Sequence, residues 1–453
     1  MLIGNSLAVL IGAHELASRG QPVTLLTDGK PLGGHFAGMQ INGHSFDAGM
    51  VLMEKHASGG GVPDLYTYDA KRRNDWTRFG DLAGRWLDGK VDLCPVTTPQ
   101  ILVHGRICPD YLITNRLDAL AGARVSGPAT MLRTDERHAA HKVSAAIYDS
   151  LSYAEAAKLN HGEALHASFI EPFVRKLLDV SSNEFLARYH RAAWVPLFYP
   201  ETLTDVLQGK VATLPEYPFW TTSNGFVGQL VKNLIDHLVG IPNVTLLSQP
   251  VQSLRNEGGL WSAVVEGGQV CCGAKLALGL TPDRARTLLG TTQYELGAAA
   301  SVTLLFARVR ADAIGQGHGC LMVVDEDYAA YRLCDQDALA GLQPEWHRVV
   351  IEANPNHLAR KHPTLDAASA LHQELRSLME IDGEDAVQLL KCANVKNALL
   401  LPTAEQVANM DRAYAEFAEA ARGAALTGNL LGYGVASLND QIVQGLKIAE
   451  EFL

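Results

Sequence analysis

The first 30 residues restrict the fold more than any other stretch of the chain. Leu2-Ile3 reads as a very short strand and Gly4-Asn5-Ser6 as a tight turn. Leu7 to Arg19 then reads as a helix, with Leu7, Leu10, Ile11 and Leu16 and small Ala13 and Ala17 on one or two of its faces. Gly20 ends that helix, and Val23-Thr24-Leu25-Leu26 is a strand of the buried type. Strand, turn, helix and strand in so short a span make the βαβ unit from which parallel sheets are wound. Its turn is where backbone amides at a helix N-terminus meet the phosphates of a nucleotide. The domain is expected to begin with residue 1.

A chain of 453 residues exceeds one ordinary domain, so two intertwined domains are expected. With 47% hydrophobic and 19% charged residues it has the composition of a protein with a large core. The net charge of -11, without any run of five or six basic residues, argues against nucleic acid and against an anionic membrane surface. Seven cysteines (Cys94, Cys108, Cys271, Cys272, Cys320, Cys334 and Cys392) show no C-x-x-C spacing. That spacing and the odd count oppose a zinc site, a redox dithiol and a secreted disulfide framework, and cytoplasmic residence is the expectation. The apolar stretch Leu7 to Ala13 lacks the basic leader of a signal peptide, and no run reaches the roughly 18 apolar residues of a membrane span.

Further along, residues 58–61 read as a glycine-rich loop, and Ile101 to Ile107 as a hairpin. Residues 152–190 have helical periodicity, and the proline- and aromatic-rich stretch 196–224 reads as an ordered loop. A second helix-strand unit runs from Phe226 to Leu238 and through Val244 to Leu247. Antiparallel strands are expected at Trp261 to Val265 and Gln269 to Cys272, and more strands at Val302 to Phe306, Cys320 to Val324 and Val349 to Glu352. Residues 364–380 and 404–422, and Gln441 to Phe452, are expected as helices.

Four segments carry the functional signal. The first is the turn Gly4-Asn5-Ser6-Leu7-Ala8-Val9, placed like a G-x-G-x-x-G turn but with Ser6 and Val9 at the second and third glycine positions. The second is Pro31-Leu32-Gly33-Gly34-His35, continuing to Phe46-Asp47-Ala48-Gly49-Met50-Val51. The third is Asn224-Gly225-Phe226 through a helix to Val251. The fourth is Thr427-Gly428-Asn429, then Asn439-Asp440-Gln441 heading the last helix.

In this order the segments resemble the FAD superfamily of monoamine oxidase, protoporphyrinogen oxidase, phytoene desaturase and UDP-galactopyranose mutase, over nearly the whole chain. The resemblance implies an α/β fold in which a Rossmann-like, two-dinucleotide-binding FAD domain (1–95, 225–300 and 390–453) interleaves with an α+β substrate domain (96–224 and 301–389). It implies noncovalent FAD, held by Gly4, Ser6, Thr27, Asp28, Gly33, Gly34, His35, Gly49, Met50, Val51, Val251, Gly428, Asn429, Asp440 and Gln441. In such proteins an acidic residue ends the second strand and binds ribose. Here Thr27 stands there with Asp28 next, and Asn429 replaces an aspartate. The Val251 backbone is the counterpart of one that meets adenine.

The implied activity is oxidation of a small molecule by hydride transfer to flavin. A sugar-nucleotide mutase and a non-catalytic relative are the alternatives. His44, Tyr331 and Arg332 are candidate substrate contacts, Arg332 as a clamp for a carboxylate or phosphate. No general base stands out. The 16 histidines form no metal motif, His138 and His141 reading as a solvated face and Cys271-Cys272 as small buried strand residues.

Overall fold

A computed structural model describes residues 1–54, 82–109, 150–189, 219–292, 299–431 and 437–453. The loop expected at 58–61, most of the proline-rich stretch 196–224, and His138 and His141 lie outside the described residues.

The expected βαβ unit winds a parallel sheet. Its five strands run in the order Val244–Leu247, Val23–Leu26, Leu2–Gly4, Leu276–Gly279 and Ala424–Leu426, every neighbouring pair parallel. The sheet is therefore assembled from three separated pieces of the chain. Parallel strands need both faces covered. On one face, the helix Leu7–Ser18 lies between Gly228–Val239 and the closing helix Leu438–Phe452, around Leu10, Ile11, Leu234 and Ile442. The first and last helices touch through glycine: a Cβ on Gly445 would lie 2.6 Å from Ile11 Cβ and 2.8 Å from Ala8 O. The other face packs on Trp261, Leu288 and Phe417, which belong to a three-stranded antiparallel sheet (Val251–Glu257, Leu260–Val265, Val270–Gly273) and the helices Pro282–Leu289 and Ala404–Ala420. Of the adjacent pair, Cys271 is buried but Cys272 is exposed, as alternation along a strand with one wet face requires.

A seven-stranded mixed sheet forms the second layer system. Its order is Val387–Leu400, Ala299–Arg310, Trp346–Ala353, Ala330–Asp335, Cys320–Val323, Gln100–Val103 and Arg106–Pro109. Successive residues of Ala299–Arg310 serve opposite faces. Leu304 and Phe306 meet Phe169, Phe173 and Leu177, while Leu305 and Ala307 meet Leu371 and Leu375 of the helix Ala367–Leu378. The hairpin expected at 101–107 is present, its two strands turning at His104-Gly105.

Three elements depart from the pattern read in sequence. The helical stretch 152–190 breaks at Gly162 (φ +85°), passes through a π-helical turn at His166–Ile170, and ends at Asp179 in the left-handed region (φ +61°). The strand Ala330–Asp335 has no polar–apolar alternation because all six of its residues are buried, Arg332 and Asp335 included. Residues 390–400, grouped by sequence with the nucleotide-binding piece, lie in Val387–Leu400 and pair with Ala299–Arg310 in the seven-stranded sheet. Among the described residues no helix is long and apolar enough to cross a membrane.

Candidate functional site

Ligands of wound parallel sheets settle at the carboxyl ends of the strands, and most of the motif residues converge there. After the first strand, Gly4 adopts φ +125°, where an added Cβ would run into the Gly279 carbonyl of the neighbouring strand. Ser6 then caps the first helix, its hydroxyl accepting from Val9 N at 3.3 Å. The Ala8 amide donates to Gln441 Oε1 at 3.1 Å, so the closing helix reaches into the first turn of the opening one. Two of the amides exposed by that helix terminus are thus satisfied within the chain.

The two glycines after the second strand have different surroundings. A Cβ on Gly33 would lie 2.5 Å from Val231 Cγ1, so this glycine lets the loop pack on the helix Gly228–Val239. Gly34 (φ +57°) faces open space, the nearest atom to an added Cβ being Asn5 O at 3.9 Å. His35 beside it is exposed and leans on Phe36, ring centroids 3.8 Å apart. Gly34 and Asn5 therefore flank an open cradle between the first turn and the glycine loop.

At the end of the second strand Thr27 is buried, and its hydroxyl has no hydrogen-bond partner among the described residues. Asp28 adopts the left-handed region (φ +57°) and turns inward. Its Oδ1 accepts from Val251 N at 2.8 Å and from Arg284 Nη2 at 2.8 Å, its Oδ2 from Arg284 Nε at 2.6 Å. Arg284 also donates to Val251 O. Hydrogen bonding to Asp28 raises the Arg284 pKa against the opposing effect of burial.

Gly49-Met50-Val51 crosses between the two layer systems, Met50 in the core of the seven-stranded sheet and Val51 in that of the nucleotide-type sheet. Asp47 just before it is fully buried and accepts from Val227 N at 2.9 Å and Gly228 N at 3.2 Å, which caps the helix Gly228–Val239. Burial outweighs these two amides and pushes the Asp47 carboxyl up to about 7. A raised carboxyl pKa favours the fold fully below the unfolded value, near 4, and the benefit is lost as pH rises through about 7. Against an always-neutral Asp47→Asn variant, the parent should lose about 4 kcal/mol of relative stability over that window. Denaturant melts of both proteins across pH would check this, and a constant difference would mean that Asp47 stays ionised in the fold.

Gln336 and Arg348, which the sequence did not single out, join the two sheets around the same segments. Gln336 accepts from Asp47 N at 3.2 Å and donates to Ser45 O at 3.1 Å and Gly225 O at 2.7 Å. Arg348 donates to Ser45 O at 3.0 Å and Asn224 O at 2.7 Å, and pairs with Asp337. His44 sits at the hairpin turn Asn42-Gly43, paired with Ile41, and nearby Arg308 and Arg348 add to desolvation in lowering its pKa.

Tyr331 and Arg332 converge on a third residue. Arg332 makes a bidentate pair with Glu352 (Nε–Oε1 2.6 Å, Nη2–Oε2 2.7 Å), and the Tyr331 hydroxyl donates to Glu352 Oε2 at 3.2 Å. All three are buried. The group lies against Gly49, where a Cβ would stand 2.7 Å from Glu352 Oε1. Glu352 closes the apolar run Val349-Val350-Ile351, and a lone acid there is the signal that could have marked it.

At the C-terminal segment Gly428 N donates to Gln444 Oε1 at 2.7 Å, and Asn429 is exposed. Asp440 completes a capping box with Ser437 (Ser437 N–Oδ2 3.1 Å, Asp440 N–Ser437 Oγ 3.2 Å) at the head of the closing helix.

A flavin fits part of this arrangement. The open cradle at Gly34 is a feature that a bound flavin would use. Arg284 was missed because its partners lie far away in sequence; its signal is its place in the helix Pro282–Leu289, just after the strand Leu276–Gly279.

By sequence the chain matches no family model and no curated protein. By structure it is similar to a candidate protoporphyrinogen oxidase from Exiguobacterium sp. 255-15 (TM-score 0.63, 15% identity, covering 100% of this chain and 97% of that one). It is also similar to reduced UDP-galactopyranose mutase (TM-score 0.68, 14% identity, 100% and 94% covered). A third likeness is to wild-type putrescine oxidase bound to putrescine (TM-score 0.57, 13% identity, 100% and 98% covered). The chain has the fold of these structures over its full length, an α/β architecture of a Rossmann-like parallel sheet and a mixed second sheet.

Proposed function

We propose that the chain is a flavin-dependent oxidoreductase that oxidises a small molecule, with noncovalent FAD as the flavin. The open face of Gly34, at the carboxyl ends of a parallel sheet, carries this reading. Bound there, the flavin would supply a hydride acceptor. The chain's own residues would position both partners. Gly34 and Asn5 would admit the cofactor's backbone to close approach. Met50 and Val51, buried at the junction of the two sheets, would exclude water from the reacting face. The helix Leu438–Phe452 would direct its N-terminal potential toward developing negative charge, offset in part by Asp440 in its first turn. Cytoplasmic residence belongs to the same proposal and accords with seven cysteines that show no C-x-x-C spacing.

The test is the visible absorption spectrum of protein incubated with FAD and then freed of unbound ligand. Flavin absorbance that denaturation releases into solution is the expected result. Flavin retained on the polypeptide would overturn the noncovalent claim, and no flavin at all would overturn the cofactor. The likeness to UDP-galactopyranose mutase keeps an isomerase as second reading. An isomerase would turn over anaerobically with reduced flavin and consume no electron acceptor.

A further inference from the structure

We propose that the Asp28–Arg284 pair closes the adenosine end of the nucleotide site, so that this chain recognises a flavin through its isoalloxazine, ribityl and first phosphate and gains no affinity from adenosine. The inference rests on the flavin reading and deepens it.

In wound parallel sheets the distal ribose lies at the carboxyl end of the second strand, where a carboxylate receives its hydroxyls. Thr27 follows the last residue of that strand here and has no carboxylate to offer. The adjacent carboxylate, Asp28, is committed elsewhere. Its backbone is left-handed, its side chain is 5% exposed, and its oxygens hold Arg284 in two places and the Val251 amide in a third. Arg284 completes the closure by donating to the Val251 carbonyl.

Both polar groups of the Val251 backbone are therefore spoken for, at the point where the strand Val251–Glu257 begins beside the second strand's end. A base or ribose entering there would displace hydrogen bonds that include a charged bidentate pair. It would leave a nearly buried carboxylate without its counter-ion. Arg284, with its side chain 27% exposed, stands at the rim of this end of the groove. The Gly34 cradle, by contrast, is open. Affinity should then come from the flavin half alone, and FAD should bind with its adenosine unanchored.

Flavin-free full-length protein titrated with FMN and with FAD, followed by flavin fluorescence, tests this directly. The two dissociation constants should agree within about threefold. Arg284→Ala frees the Val251 carbonyl and the Asp28 carboxylate together, and should favour FAD over FMN by about tenfold or more while leaving FMN affinity unchanged. Arg284→Gln, which keeps a donor of similar length but no charge, should shift the ratio in the same direction and guards against a misfolded alanine variant. FAD binding about tenfold tighter than FMN in the parent protein would overturn the proposal and leave the flavin reading intact. So would an FAD-to-FMN ratio unmoved in both variants. Binding of neither flavin would overturn the flavin reading and this proposal with it.

Discussion

Replacing Arg332 with methionine should lower the free energy of unfolding by about 3–5 kcal/mol. Arg332 and Glu352 face each other on neighbouring strands, in a bidentate pair that is buried along with the Tyr331 hydroxyl. Their mutual attraction offsets the desolvation of both charges. Deleting Arg332 leaves the Glu352 charge buried without its counter-ion. Glu352 cannot relax toward solvent, since Gly49 lies against its carboxylate. The next strand, Cys320–Val323, carries Cys320, whose thiol burial pushes up to about 12, so the medium around the pair is strongly desolvating. The double variant Arg332→Met with Glu352→Leu should recover most of the loss, because it removes both charges. Urea melts of the parent, each single variant and the double variant give the coupling. A single-variant loss below about 1 kcal/mol would mean that water reaches the pair. The sequence put Arg332 forward as a clamp for a substrate anion; paired with Glu352, it is expected to show itself first as a stability determinant.

Replacing Gly34 with leucine should weaken FAD binding by a hundredfold or more, about 2.7 kcal/mol, with the protein still folded. A side chain at this position would enter the open cradle and not the protein, whose nearest atom is Asn5 O at 3.9 Å. The left-handed backbone (φ +57°) adds strain of only about 1–2 kcal/mol for a residue with a Cβ. Gly33→Leu supplies the contrast. There the new side chain would strike Val231, 2.5 Å from its Cβ, and should reduce stability before it affects ligand. Equilibrium dialysis against FAD, paired with thermal melts, separates the two outcomes. Full flavin occupancy in Gly34→Leu would sink the placement of the cofactor along this loop.

Local pattern alone made a good part of this architecture legible. The βαβ opening, the strand Val244–Leu247 and the hairpin around His104-Gly105 each announce themselves through periodicity and turn residues within a few positions. Such signals are local because helix and strand periods are set by the backbone, and a turn by the conformations its own residues tolerate. Where both faces of a strand are buried, as in Ala330–Asp335, the period vanishes and so does the signal.

The glycine loop itself could be read from residues 31–34. Its division of labour could not: Gly33 faces Val231 and Gly34 faces open space only once the helix Gly228–Val239 has docked. The polar partnerships lie further still from any local rule. Ala8 N finds Gln441 across 433 positions, Asp28 finds Arg284 across 256, and Gly228 N finds Asp47 across 181. A buried donor, acceptor or charge must be satisfied, but the sequence does not say by which partner. The chain's residues alone determined that a parallel nucleotide-type sheet would form and where its turns would be. Only the tertiary structure decided which polar groups face the groove and which are consumed inside the protein, because that depends on which distant segments the topology brings to the same strand end.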